Sequence, residues 1–318
     1  MRQLAVALAL FWVVLTLTFL LIRAAPGDPA SLLAPPGATA PELARLRTSL
    51  ELDAPLPVQY ARWARDILKG DLGTSFVAHR PVTSVLGDAI PISLALGGIS
   101  LLLTFVIGTI VGGVQGARRG SRLDTALTLA TTTVYAAPSF WLALSLIALF
   151  TYGAARLGLP AWLRLPAFGV RDPAGATGLA ELVRHAILPV LTLTLIGAAG
   201  IARYARSSAV ELLQLQWVRT AVAKGVPSRT VHTRHVLANA LPTLLILFAL
   251  ALPGVLAGSV FVETVFGWPG VGRLMVSSIF ARDYPVVVGA TVVYAALVIL
   301  ANLAADLALP LVDPRRRT

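Results

Sequence analysis

A strongly basic stretch, residues 203–242, holds the side chains best suited to binding a charged partner. It contains one carboxylate, Glu211, against six lysines and arginines: Arg203, Arg206, Arg219, Lys224, Arg229 and Arg234. A basic amphipathic segment of this kind is typical of a helix on anionic lipid headgroups, or of a docking site for another protein. Composition alone does not choose between these interpretations.

The spacing of apolar residues predicts one amphipathic helix in the first half of this stretch. The positions that recur every three or four residues are Val210, Leu213, Trp217 and Ala221. Gly225 follows the last of them and suits the left-handed position that ends a helix. Ser228, after Pro227, is predicted to cap a second short helix. The stretch is therefore expected to form a compact helix–turn–helix projection.

Several kinds of chemistry lack the residues they need. There is no cysteine, so disulfides, thiolate metal sites and cysteine nucleophiles are excluded. Neither Lys69 nor Lys224 completes a phosphate-binding G-x-x-x-x-G-K-[ST] motif, so the chain shows no ATP site of its own. His232 and His235 have no third ligand nearby in sequence, which argues against a metal site. No nucleophile–base pair indicates an enzyme, and Asp306 is expected to be a solvated helix-end acid rather than a proton relay.

Hydropathy predicts an all-α membrane protein. Of the 318 residues 57% are hydrophobic, and the mean hydropathy is +0.80. Six uncharged runs are long enough to cross about 30 Å of hydrocarbon: 4–22, 89–116, 125–155, 186–202, 236–262 and 284–305. The first run resembles a cleavable signal peptide in its flanks, but its nineteen residues exceed the usual core of about 7–15 and favour a retained helix.

The distribution of charge predicts that both termini are cytoplasmic. With that orientation the short inner segments carry thirteen lysines and arginines against four acids, including Asp306 at the end of the last run. The longer outer segments carry thirteen against eleven. An excess of positive charge in inner loops is a topology signal, so the net charge of +11 does not indicate nucleic-acid binding.

The predicted organisation has four parts. Residues 1–22 form the first transmembrane helix, 23–88 an extracytoplasmic segment, 89–312 a core of five transmembrane helices with the basic loop at 203–242, and 313–318 a basic cytoplasmic tail. Two short amphipathic helices are expected at 41–50 and 58–68. Because a segment this small forms a marginal core alone, we expect it to cap the membrane domain.

Prolines and glycines predict bends and close contacts within the spans. Pro138, Pro189 and Pro253 each remove a helix hydrogen bond, which bends pathway-lining helices or is simply tolerated. Gly108, Gly112 and Gly116 form two overlapping GxxxG patterns, which predict close packing within the bundle.

One run of residues resembles a known family. The sequence RTAVAKG at 219–225, followed by Arg234-His235 and by NALP at 239–242, resembles the EAA loop of binding-protein-dependent ABC importer permeases. The usual Glu-Ala-Ala is replaced by Arg219, Thr220 and Ala221, as in the dipeptide/oligopeptide/nickel group. The resemblance implies a coupling helix that docks on an ATPase subunit through Trp217, Arg219, Thr220, Ala221, Ala223, Lys224, Gly225, Arg234 and His235.

The resemblance extends over nearly the whole chain and is closest to B-type subunits of that group. It includes residues 23–29, 55–60, 70–75, 263–274, 281–285 and 311–315. In the stretch between the last two spans, the resemblance implies an extracytoplasmic gate formed by Glu263, Phe266, Trp268, Pro269 and Gly270. The alternative is a belt of aromatic residues at the membrane interface, where Phe266 and Trp268 would suit the headgroup region.

Family membership carries further expectations. It implies a type I importer fold, a heterodimer with a C-type permease, two cytoplasmic ABC ATPases that bind ATP and Mg²⁺, and an extracytoplasmic solute-binding protein. The chain itself is expected to bind no cofactor and to lie in a bacterial or archaeal cytoplasmic membrane. The expected solutes are di- and oligopeptides; the alternatives are nickel or another small solute, or a secondary transporter acting alone.

Overall fold

In the part of the chain that the structure describes, the regular structure is helical apart from an isolated β-bridge between Thr74 and Pro81. This computed structural model describes residues 2–24, 30, 37–49, 53–172, 178–252, 254–257 and 260–312. Within these ranges, four helices are long and apolar enough to cross a membrane: α4 (Val82–Ala117), α7 (Leu179–Leu213), α9 (Ser228–Ala251, with a π-helical segment Val231–Leu237) and α13 (Tyr284–Val312). The predicted all-α class is confirmed for the described residues.

A fifth apolar run is broken rather than continuous. Residues 125–155 were expected to form one span, but α5 (Arg122–Ala136) and α6 (Ser139–Tyr152) meet at 107°. Pro138 has no N–H to donate and disfavours the helical conformation of Ala137, which is extended at φ −73° and ψ 134°. The bend expected of Pro138 is therefore a break between two helices.

The remaining helices are shorter. They are α1 (Arg2–Ala24), α2 (Ala40–Ser49), α3 (Leu56–Leu68), α8 (Gln216–Ala223), α10 (Gly254–Ala257), α11 (Val260–Phe266) and α12 (Val271–Phe280). The two short helices predicted at 41–50 and 58–68 are observed as α2 and α3, and Leu50 lies outside the described residues. At the start of α2, the Thr39 N–H and hydroxyl donate to the Glu42 carboxylate, and these hydrogen bonds lower the pKa of that carboxyl.

Contacts divide the chain into two compact units. The first contains Met1–Pro91 and Leu274–Leu297. In it, α3 packs on α1: the Tyr60 hydroxyl lies 2.6 Å from Thr16 Oγ1, and the Phe19 and Trp63 rings lie 5.2 Å apart. The buried Asp283 carboxylate accepts hydrogen bonds from Ser75 Oγ (2.5 Å) and the Phe76 N–H (3.0 Å), which hold the loop before α4.

The second unit contains Ile92–Arg273 and Val298–Thr318. Its helices α4 and α7 meet along small residues. A Cβ placed on Gly108, Gly112 or Gly116 would come within 3 Å of α7 atoms such as those of Ile201, Ala205 and Ala209. The predicted close packing of the GxxxG stripe is confirmed. α7 itself is far longer than the predicted run 186–202, because charges at both ends shorten the uncharged window without ending the helix.

Some expectations fall outside the described residues. These are Pro253, the resemblance at 25–29 and the basic tail 313–318. Asp306 lies within α13, but its side chain is also outside the description.

The α4–α7 seam predicts a sharp difference between neighbouring glycines. Gly112→Ala should lower stability by about 1–3 kcal/mol, because its Cβ would lie 2.6 Å from that of Ala205. Gly113→Ala should be neutral or slightly stabilising, since no atom lies within 4 Å of its added Cβ and alanine favours the helix. Thermal unfolding of the detergent-solubilised protein measures both, and equal unfolding midpoints would contradict the close approach.

Candidate functional site

The basic stretch begins inside a helix rather than in a loop. α7 continues through Leu213, so Arg203 and Arg206 belong to a spanning helix. The single amphipathic helix predicted across this region is wrong, because the chain breaks at Gln214 and at Leu215, which is extended at ψ 144°. Neither residue is a glycine or proline, and the apolar spacing runs through the break, so periodicity could not reveal it.

The end of α8 has the predicted geometry. Gly225 has φ +80°, the left-handed conformation expected of it. Its N–H donates to the Val222 carbonyl at 2.9 Å, and the Val226 N–H donates to the Ala221 carbonyl at 3.2 Å. This pair of hydrogen bonds is the Schellman motif, which satisfies the last carbonyls of a helix. The turn after α8 is therefore fixed by backbone geometry.

The predicted cap of the next helix differs in detail. Pro227 occupies the N-cap position and Ser228 is the first helical residue. The Ser228 hydroxyl lies 3.3 Å from His232 Nδ1 and makes no capping hydrogen bond. A proline at the cap position, with φ already near the helical value, starts the helix without a side-chain cap.

Most residues of the predicted docking site are exposed, and His235 is half-buried; together we call them the coupling surface: Trp217, Arg219, Thr220, Ala223, Lys224, Gly225, Arg234 and His235. The Trp217 and His235 rings lie 6.0 Å apart and join α8 to the π-helical segment of α9. Val218 and Val231 are almost fully buried, and Ala221 is half-buried. Buried valines on one side thus hold a cationic face outward on the other.

Near this surface one basic residue is already neutralised. Arg206 donates from Nε and Nη2 to the two oxygens of the buried Asp124 at 2.8 and 2.9 Å. Asp124 also accepts the Gly120 N–H at 3.0 Å. This paired geometry ties the start of α5 to α7, so Arg206 serves the fold and is not available to a partner.

Four of the five predicted gate residues are buried, and Pro269 is exposed. Glu263 is fully buried, and its Oε1 accepts the Ser93 hydroxyl at 2.6 Å. Its Oε2 accepts the Arg273 N–H at 3.0 Å, while Ser93 Oγ accepts the Val271 N–H at 2.8 Å. Glu263 and Ser93 thus satisfy N–H groups in the first turn of α12, where negative charge is favoured. We call this arrangement the Glu263 clasp.

Glycine makes the clasp possible. A Cβ on Gly270 would overlap the Glu263 carboxylate, and one on Gly272 would lie 2.7 Å from the Val260 Cα. The carboxylate can therefore reach the backbone only because both positions lack side chains. Ser93 was missed by sequence reasoning, since it lies 170 residues from Glu263 and a lone serine in an apolar helix gives no functional signal.

The aromatic residues of this segment face the protein interior. Phe266 is 1% exposed and Trp268 is 5% exposed, and both belong to the main apolar core of the second unit. Pro269, which follows Trp268, is exposed, and Gly270 after it is buried. The alternative of an interface belt is therefore wrong, because a belt residue must present its ring to the headgroup region.

His232 and His235 lie on the same helix but bind different neighbours. His232 Nδ1 lies 2.7 Å from the Ser228 carbonyl, and the His235 carbonyl accepts the Asn239 amide at 2.6 Å. Within the described residues, no three His, Cys, Asp or Glu side chains come together as a metal site would require.

Comparison with known proteins identifies the family. The model described as "Binding-protein-dependent transport system inner membrane component" matches residues 82–318, and its N-terminal companion matches residues 1–97. The chain belongs to this family. It is 35% identical over 300 residues to the oligopeptide transport system permease protein AppB of Bacillus subtilis, covering 94% of this chain and 92% of AppB.

Two further relatives have similar extents. The probable D,D-dipeptide transport system permease protein DdpB of Escherichia coli is 37% identical, over 95% of this permease and 92% of DdpB. The probable peptide ABC transporter permease protein y4tP of Sinorhizobium fredii is 35% identical, over 100% of this permease and 98% of y4tP. The resemblance drawn from the EAA-like loop is confirmed, and the protein is a multi-pass membrane permease.

The Glu263 clasp predicts a large loss of stability on truncation. Glu263→Ala should destabilise the permease by about 2–4 kcal/mol, because it leaves the Arg273 N–H and Ser93 hydroxyl without their acceptor in a buried site. Glu211→Ala, at an exposed position on α7, should change stability by less than about 0.5 kcal/mol. Thermal unfolding in detergent compares them; similar midpoints would show that the clasp contributes little.

Proposed function

We propose that this permease is one of two membrane subunits of an ATP-driven importer for di- and oligopeptides. The support is its full-length similarity to relatives named as oligopeptide and dipeptide permeases. The partners in this proposal are a C-type permease, two cytoplasmic ABC ATPases and an extracytoplasmic binding protein. ATP and Mg²⁺ bind to the ATPases, and this subunit contributes no catalytic residues.

The proposed topology has six spans with both termini in the cytoplasm. Four long helices and the bent pair α5–α6 supply five spans. The sixth is α1, whose 23 residues rise about 34 Å at 1.5 Å each, enough for the hydrocarbon layer. The excess of lysine and arginine in the inner segments supports this orientation, which places 23–88 outside and the coupling surface inside.

The coupling surface is the observation that carries the proposed mechanism. Its cationic side chains, Arg219, Lys224 and Arg234, are exposed, whereas Val218 and Val231 anchor the same elements. A small rigid projection of this kind can fit a groove on a partner and transmit its displacement to α7 and α9. Closure of the ATPases on ATP would then shift the spans between inward- and outward-facing states as rigid bodies.

The Glu263 clasp supports a gate role for the segment 263–274. A buried carboxylate ties α11 and α4 to the first turn of α12 and so defines one closed conformation of this segment. Transport can replace that conformation by an open one. In this proposal Glu263, Phe266, Trp268, Pro269 and Gly270 form the outer wall of the pathway, which opens when the binding protein delivers its solute.

Complex formation and uptake test the proposed function directly. The permease expressed with its genomic neighbours should co-purify with two ATPase subunits and support ATP- and binding-protein-dependent uptake of dipeptides in proteoliposomes. Solute uptake by the isolated chain would instead indicate a secondary transporter. Uptake of Ni²⁺ without dipeptide uptake would replace the peptide substrate class by nickel.

The turn at Gly225 should be required for coupling. Gly225→Val forces a β-branched residue into a left-handed conformation and should uncouple ATP hydrolysis from uptake, while membrane insertion remains intact. Gly70→Val is the matched control, because Gly70 ends α3 with the same pair of hydrogen bonds, also has a positive φ (+83°), and has no atom within 4 Å of an added Cβ. The ratio of solute imported to ATP hydrolysed should fall only for Gly225→Val; an equal fall in both variants would contradict the role of this turn.

A further inference from the structure

One arginine of α7 carries a charge that the fold does not neutralise. Arg206 pairs with Asp124 through two hydrogen bonds. Arg203, one turn earlier, has no carboxylate partner among the described residues; its guanidinium carbon lies 5.0 Å from the centre of the Tyr135 ring. Ionisable residues in spanning helices face partners or water-filled cavities because lipid does not solvate them. Arg203 therefore faces a site where an anion is expected.

The surroundings of Arg203 form a pocket. An open groove of about 350 Å³ is lined by Tyr135, Gly200, Arg203, Tyr204 and Ser207, all of which are exposed except Gly200. Small-molecule sites begin at about 300 Å³, so the space suits a small solute. The groove combines a cation with three hydroxyls that can donate hydrogen bonds. The absence of a side chain at Gly200 lets the Tyr135 ring lie against α7, since an added Cβ would already touch the ring at 3.4 Å.

The position of the pocket fits a transport pathway better than a lipid contact. Asp124 and Arg206 mark the inner end of α5, whereas Tyr135 lies eleven residues further along that helix, about 16 Å away. An arginine that reached for inner-leaflet headgroups would extend toward that inner end. Arg203 instead lies over Tyr135, beside the break at Pro138 where α5 and α6 separate.

We propose that this pocket binds the terminal carboxylate of the peptide in transit. The inference rests on the proposed peptide substrate class. Arg203 would hold the carboxylate through its planar pair of N–H groups, and the Tyr135, Tyr204 and Ser207 hydroxyls would donate the remaining hydrogen bonds. Every unmodified peptide has this group whatever its side chains, so the site accounts for recognition that is independent of sequence.

Binding of two probes to the assembled importer tests the site. The complex with its partner subunits, without binding protein or ATP, is placed in nanodiscs of phosphatidylcholine alone. Dialanine should bind at least tenfold more tightly than dialanine amide, which lacks the negative charge. Arg203→Gln should weaken dialanine binding about tenfold or more and remove the difference between the probes; Arg203→Lys should lose less, because it keeps the charge but not the planar fork.

The control variant and the amide probe distinguish a carboxylate site from a lipid contact. Arg184→Gln, on the same helix, should leave both affinities unchanged. If the unmodified complex binds dialanine and dialanine amide equally, the proposal is overturned. This measurement needs no variant. Unchanged dialanine binding in Arg203→Gln would also overturn the proposal. If that variant changes only the response to added phosphatidylglycerol, Arg203 contacts lipid and the proposal is likewise overturned. If the unmodified complex does not bind dialanine but still takes up peptides, the site is wrong and the importer function stands. If it neither binds dialanine nor takes up peptides, the peptide substrate class is refuted.

Discussion

The close approach of two helix backbones organises the larger unit of this permease. Gly108, Gly112 and Gly116 leave one face of α4 without side chains, and small residues such as Ala205 and Ala209 of α7 pack against that face. In a membrane no hydrophobic force drives two apolar helices together, so shape and van der Waals contact must do so. The seam orients α7 about its axis, and that orientation decides where Arg203 and Arg206 point.

The charged residues of the permease fall into two sets, those that are paired within the fold and those that are exposed. Asp124 and Arg206 neutralise each other, and Glu263 is surrounded by N–H and O–H donors. The Asp124 and Glu263 carboxylates are buried and satisfied, which is the condition under which a charge is tolerated away from water. Arg219 and Lys224, in contrast, are exposed on a short helix anchored by Val218. Burial and pairing therefore separate the charges that hold the fold from the exposed charges that we propose contact a partner, which composition could not do.

Sequence patterns predicted the features that depend on local chemistry. Gly225 was recognisable because a left-handed turn demands glycine, and α3 because its apolar residues recur at helical spacing. The break at Leu215 had no such signature, since the apolar period continues through it. The partners of Glu263 and Arg206 were equally hidden. Ser93 and Asp124 lie 170 and 82 residues away, and one sequence holds no record of which distant segments meet.

The geometry of α7 explains how a small displacement inside could affect the pathway. Thirty-five residues form one helix about 52 Å long, with the α8 projection joined to its end by two residues. A rigid helix transmits a displacement of its end along its whole length, whereas a flexible linker would not. The Asp124–Arg206 pair and the glycine seam oblige α4 and α5 to move with α7, since sliding along the seam would bring backbone and side-chain atoms into overlap. In the proposed mechanism, motion at the coupling surface would therefore displace these helices together, along with Arg203 at the site where the solute is proposed to pass.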